Sequence, residues 1–231
     1  MPISHKDKLI FIHIPKTGGG SIEKTLKIYG TENNGDLKPN LDMLYGISKK
    51  KVLQHLSLQE ILEITKNKFD NYKIFSFVRN PYDRIVSEYL WRSQAYGLRK
   101  VEFKEFLNED VITKKNNINK HLKNFYKDEK LIPLLDVHYV NQIDFLKVKD
   151  ELKVNHIGRF ENINKDFKKI TAKKLYHKVH TSKSDYFYYT YKKWIPYFIT
   201  KNSYRRYYDN ETYDLISKYY TEDINEFSYK F

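Results

Sequence analysis

Leu9-Ile10-Phe11-Ile12-His13-Ile14, then Pro15-Lys16-Thr17-Gly18-Gly19-Gly20, then Ser21-Ile22-Glu23-Lys24-Thr25-Leu26-Lys27-Ile28-Tyr29 are three consecutive segments of different character. The first is short, apolar and rich in β-branched residues, as a strand buried on both faces should be. Pro15 stops it. The third places apolar residues at 22, 26 and 29, a helical spacing, with Gly30 as its stop. Between them the glycines allow backbone N–H groups to approach an anion, the following helix turns its positive end toward it, and Lys16 adds a full charge. The order of residues is not G-x-x-x-x-G-K-[ST], because the lysine precedes the glycines, nor is it G-x-G-x-x-G, which weakens a nucleoside-triphosphatase reading.

Outward from this stretch, residues 31–52 contain Gly35, Pro39 and Gly46 without periodicity and read as loop. A second helix opens at His55-Leu56-Ser57-Leu58-Gln59-Glu60, where Ser57 and Glu60 make an S-x-x-E capping box and place His55 in the turn before it. Lys73-Ile74-Phe75-Ser76-Phe77-Val78 is a second buried strand. Asn80 and Pro81 then supply the N-cap and first position of a helix to about Ser93, with Ile85, Val86, Tyr89 and Leu90 on its apolar side. Val101 to Lys130 alternates apolar and basic residues and predicts two exposed helices. Val154-Asn155-His156-Ile157-Gly158 reads as a further strand, and Asn162 as the cap of a helix bearing Ile163, Phe167 and Ile170. A last helix from about Glu211 carries Leu215, Ile216, Tyr219, Tyr220, Ile224 and Phe227. Alternating strands and helices predict an α/β fold with a parallel β-sheet flanked by helices. No internal repeat and no domain boundary is visible, so a single domain over 1–231 is expected.

Composition sets the outer bounds. The 231 residues hold 42 Lys+Arg against 29 Asp+Glu, a net charge of +13 that favours an anionic partner without naming it. Hydrophobic residues at 40% suffice for a core and exclude wholesale disorder. With no cysteine, thiolate catalysis and disulfides are excluded. Nothing resembles a zinc finger or a ribonucleoprotein motif, and nucleic acid is not an expected partner. No window approaches the roughly 20 apolar residues of a membrane span and no signal peptide is apparent, which predicts a soluble cytoplasmic protein.

Phe11-Ile12-His13-Ile14-Pro15-Lys16-Thr17-Gly18-Gly19-Gly20-Ser21 resembles the 5′-phosphosulfate loop of sulfotransferases that use 3′-phosphoadenosine 5′-phosphosulfate (PAPS). The nearest likeness is to the carbohydrate enzymes, including the heparan sulfate 2-O-sulfotransferase type. Phe77-Val78-Arg79-Asn80-Pro81-Tyr82-Asp83-Arg84-Ile85-Val86-Ser87-Glu88-Tyr89 resembles that family's 3′-phosphate motif. Weaker matches at Gln142, at Gly158-Arg159-Phe160-Glu161-Asn162 and from Tyr207 to Phe231 extend the resemblance over most of the chain. It implies a P-loop-like sheet, PAPS as co-substrate and transfer of a sulfuryl group to a carbohydrate hydroxyl. Two features depart from the pattern: Asn141 stands where relatives often have proline, and an insertion lies between about Tyr186 and Ser203. No role is therefore carried over to His180, Ser182 and Lys183.

PAPS presents two separated anionic groups, and the two motifs answer them. Lys16, Thr17, Gly18, Gly19, Gly20 and Ser21 take the phosphosulfate; Arg79 and Ser87 take the 3′-phosphate by charge-assisted hydrogen bonds. Lys16 is the candidate to neutralise the leaving phosphate. The base implied by the resemblance is a histidine between the two motifs, and His55 fits, imidazole titrating near neutral pH. His13 is its competitor. Arg159 and Glu161 are expected to form a buried structural ion pair, and Tyr186 to Tyr191 to serve as an aromatic core or lid, or to stack on a sugar or the adenine. No residue spacing suggests a metal. A nucleotide-dependent kinase, or a catalytically inactive nucleotide- or polyanion-binding protein, remains the alternative.

Overall fold

The computed structural model describes residues 3–28, 42, 44–48, 51–66, 68–95, 101–111, 137–175 and 203–231. The expectations for Gly30, for the loop up to 41, for 112–130, and for His180, Ser182, Lys183 and the tyrosines of 186–191 lie outside these residues. The chain divides into two compact units, Met1–Arg79 with Val140–Val179, and Asn80–Tyr139 with His180–Phe231.

The first unit is built on a four-stranded sheet. Its strands β1 (Ile3–Ser4), β2 (Leu9–Ile12), β5 (Lys73–Val78) and β8 (His156–Arg159) lie in that order, β1 antiparallel to β2 and the other three mutually parallel. Phe11 pairs with Phe75, and Ser76 with Ile157. All four residues of β2 and the last four of β5 are buried, as their mainly apolar composition suits central parallel strands, and the one polar residue, Ser76, donates its hydroxyl to Ile12 O at 2.7 Å. Two helices, α1 (Gly19–Leu26) and α5 (Ile163–Thr171), cover one face: Ile22, Leu26, Ile163 and Phe167 pack with Leu9, Phe11, Phe75 and Phe77. Between β2 and β5 lie a small hairpin of β3 (Ile47–Ser48) and β4 (Lys51–Val52), a 3₁₀ turn at Leu53–His55 and α2 (Leu58–Thr65). A second hairpin, β6 (Lys147–Val148) and β7 (Glu151–Leu152), precedes β8.

Several expectations are met closely and others need correction. The Ser57–Glu60 capping box forms, Ser57 Oγ accepting from Glu60 N. Residues 31–52, read as loop, contain the β3–β4 hairpin, whose two-residue strands are too short to leave a periodic signal. The third parallel strand begins at His156 rather than Val154 and runs on to Arg159. Asn162 precedes α5 as expected, yet its side chain makes no cap hydrogen bond. Arg159 and Glu161 do not form a buried pair, since Glu161 is exposed and Arg159 half-buried. The strand end is instead tied to α5 by Asp166, whose Oδ2 accepts from Arg159 N at 2.8 Å.

The second unit is helical and centres on α3 (Pro81–Ala95). Asn80 caps it, Oδ1 accepting from Tyr82 N at 3.1 Å, and its amide donates to Lys230 O at 2.8 Å. Ile85 and Val86 are fully buried in an aromatic core with Phe106, Tyr139, Ile216 and Tyr220. The helical turn α4 (Phe103–Phe106) continues into a π-turn over Leu107–Val111. These residues were expected to be exposed; Phe103, Phe106, Leu107 and Val111 are buried because they supply one side of this core. The expected last helix is two, α6 (Asn210–Tyr219) and α7 (Thr221–Glu226), joined at the buried Tyr220. Arg84, Glu88 and Arg92, one turn apart on α3, are also fully buried. Glu88 accepts from Arg92 Nε at 2.6 Å and from His138 Nδ1 at 2.9 Å, while Arg84 Nη2 donates to His138 O at 2.7 Å. Tyr220 donates to Tyr139 O at 3.0 Å, and burial holds its phenol far above the ordinary range.

Candidate active site

The sequence motif beginning at Phe11 occupies the end of β2 and the start of α1. The chain leaves β2 at Ile12 and must turn sharply into the helix. Thr17, fully buried, secures the turn by donating its hydroxyl to Ile14 O at 2.8 Å. Lys16 adopts φ 68° and Gly18 φ 88°, both left-handed. Only the second is a glycine, so Lys16 takes up a backbone conformation that L-residues normally avoid.

The three glycines serve different ends. A Cβ on Gly18 would meet Ile163 Cδ1 at 2.7 Å, and its φ alone favours glycine. A Cβ on Gly19 would lie 2.0 Å from the His13 ring, so this glycine exists to let that imidazole pack against the loop. At Gly20, which is exposed, an added Cβ meets nothing within 4 Å. Helix α1 begins at Gly19, earlier than its composition predicted, because the turn and not propensity sets its start. Gly18 has no side chain to cap the first-turn amides, which suits them to an anion.

Two histidines stand beside the loop. His13 Nδ1–H donates to Glu23 Oε1 at 2.6 Å, a bond formed because α1 turns Glu23, 5% exposed, to its buried face. His55, half-buried in the 3₁₀ turn ahead of α2, has Nδ1 3.0 Å from His13 O. A carbonyl only accepts, so Nδ1 carries the proton and the lone pair of the neutral ring is on Nε2. The two rings lie edge to face with centroids 4.6 Å apart. The structure thus brings the two candidate bases together, in different roles: His13 engages a carboxylate, whereas His55 is oriented by a backbone carbonyl.

Arg79 follows β5 and is 3% exposed. Its Nη1 donates to Lys16 O at 3.0 Å, and its guanidinium lies 4.1 Å from the centre of the Phe160 ring. Arg79 therefore touches the glycine loop itself, a link that sequence spacing did not reveal. Gln142 is fully buried beside it, accepting from Arg79 N at 2.8 Å and donating to Arg79 O at 2.9 Å. Ser87 lies in the helical unit on α3 and is buried rather than solvent-facing. A groove of about 510 Å³ between α2 and the β6–β7 hairpin is lined by Gln59, Glu63, Lys149 and Lys153 among others, and includes none of the candidate site residues.

A model of the sulfotransferase family matches residues 1–230. The chain belongs to the sulfotransferase family. Neither the curated proteins nor the solved structures searched contain a match. Membership supports sulfuryl transfer as the reaction and implies a sulfate donor and an acceptor. Among the described residues of this sulfotransferase no helix is long and apolar enough to cross a membrane, and no cluster of three or more His, Asp or Glu has metal-site geometry. Of its candidate residues, Lys16 to Ser21, Arg79, His55 and His13 share one end of the sheet unit. Glu23, Gln142 and Phe160 also belong there; Gln142 and Phe160 lay within weaker motif matches, while Glu23 on an otherwise ordinary helix gave no signal.

Proposed function

We propose that the chain is a PAPS-dependent sulfotransferase that moves a sulfuryl group to a hydroxyl of a carbohydrate acceptor, residues 1–231 acting as one domain with a P-loop-like anion loop. The start of α1 carries this reading. An uncapped helix terminus, the open space over Gly20 and the adjacent Lys16 together suit a phosphosulfate. The buried guanidinium of Arg79, held against the anion loop through Lys16 O, supports its assignment to the 3′-phosphate. Ser87 keeps its assignment to that phosphate from the Phe77–Tyr89 motif alone.

In this reaction the acceptor O–H gives its proton to His55 Nε2 as its oxygen bonds to sulfur. The bond from sulfur to the bridging phosphate oxygen breaks, and adenosine 3′,5′-bisphosphate leaves with the electron pair. Lys16 and the first-turn amides of α1 neutralise the charge growing on that oxygen. Positioning and electrostatics supply most of the effect, as in phosphoryl transfer. The carbohydrate acceptor follows from the family likeness of the motifs.

Calorimetry with adenosine 3′,5′-bisphosphate tests the donor site. The parent should bind tightly, and Lys16→Ala and Arg79→Ala should each lose that binding. No binding by a folded parent overturns the proposal, while ATP binding as well as the bisphosphate would favour a kinase. With a glycan acceptor pool, His55→Ala should abolish the neutral limb of the pH–rate profile; a profile identical to the parent's removes His55 as the base.

A further inference from the structure

We infer that Gln142 is a positioning residue that sets the shape of the anion loop by acting through Arg79. The inference rests on the reading of that loop as the donor site. A side-chain amide carries the same donor and acceptor as a peptide group, and Gln142 applies both to one residue, accepting from Arg79 N and donating to Arg79 O. The position is where an ordinary partner runs out: the β5–β8 register ends with Val78 opposite Arg159. Gln142 thus stands in for a strand at the next residue, from 63 positions away in the chain.

What it holds has consequences for Lys16. With its backbone clamped, Arg79 reaches across Phe160 and fixes Lys16 O at 3.0 Å, while Lys16 itself sits at φ 68°. A left-handed lysine persists only where its surroundings over-determine it, and the Arg79 bond is one such restraint. The line Gln142, Arg79, Lys16 therefore ends on the residue assigned above to neutralise the leaving phosphate. Asparagine is a methylene too short to make both bonds, methionine has neither group, and an ionised glutamate keeps the acceptor but lacks the donor.

A double-mutant cycle tests the line. Gln142→Met should weaken binding of adenosine 3′,5′-bisphosphate about tenfold, the order expected when two buried hydrogen bonds that position a ligand-holding residue are lost. In an Arg79→Met background the same change should alter the amide exchange of residues 14–18 in the ligand-free protein less than about twofold, because its route is already cut. Hydrogen exchange of the ligand-free protein gives a second measure: residues 14–18 should exchange faster in Gln142→Met, with 58–65 unchanged. Gln142→Glu, which retains the bond from Arg79 N, should fall between parent and Met variant and serves if the latter does not fold. Additive effects of the two changes on that exchange, or loop exchange in Gln142→Met equal to the parent's, overturn the inference. A parent that binds no bisphosphate while the loop still responds overturns the donor-site reading and leaves the clamp standing. A parent that binds, with a Gln142→Met variant equal to it in both measures, overturns the clamp alone.

Discussion

The sheet unit and the helical unit each bury charged side chains, and apart from the His13–Glu23 contact the first ties them to backbone, whereas the second ties them mainly to one another. At the end of the sheet, Arg79 donates to a backbone carbonyl, His55 to another, and Gln142 closes on the backbone of Arg79. In the helical unit the charges meet one another: Glu88 holds Arg92 and His138, and Arg84 lies 3.7 Å from Asp223. A side chain bonded to a loop carbonyl shapes the loop, and its loss is felt first in binding. A charge paired with a second buried charge leaves that partner stranded when it is removed, and the whole unit pays.

The sharpest way to break this contrast is Glu88→Leu. It strands Arg92 and His138 in a dry core and should cost about 3–5 kcal/mol of stability, read by urea unfolding. A loss below about 1 kcal/mol would mean that the two units do not differ as described. Next comes Gly19→Ala, which forces a methyl into the His13 ring and should destabilise by about 1–3 kcal/mol. Its diagnostic sign is a disturbed His13 imidazole resonance by NMR, since the ring is what must move. The smallest effect belongs one residue on. Gly20→Ala meets open space in a helix and should stabilise the protein by about 0.4–1 kcal/mol. Equal melting shifts for these two alanines would show that the loop lacks the division of labour its glycines suggest.

Elements written in local sequence were legible. Strands β2 and β5, the capping box at Ser57 and the Asn80-Pro81 start of α3 each depend on neighbours a few residues apart. The exposed reading of 101–111 failed because the partners of Phe103 and Phe106 include Tyr207 and Tyr139, remote in the chain. The last helix was read as continuous because its apolar spacing passes through Tyr220, where the backbone departs from helical geometry at φ −110°. The same division holds at the candidate site. Lys16, the glycines and His55 stood out by motif, whereas the clamp on Arg79 spans 63 residues and no spacing rule reaches it. Gly19 was read for its amide, and its second reason, room for His13, needed the fold.

The open space over Gly20 has a practical side. Because the chain contains no cysteine, Gly20→Cys would create its sole thiol, at an exposed position in the first turn of α1 beside the proposed donor site. A fluorophore attached there needs no background mutations and would report arrival and departure of the nucleotide in real time.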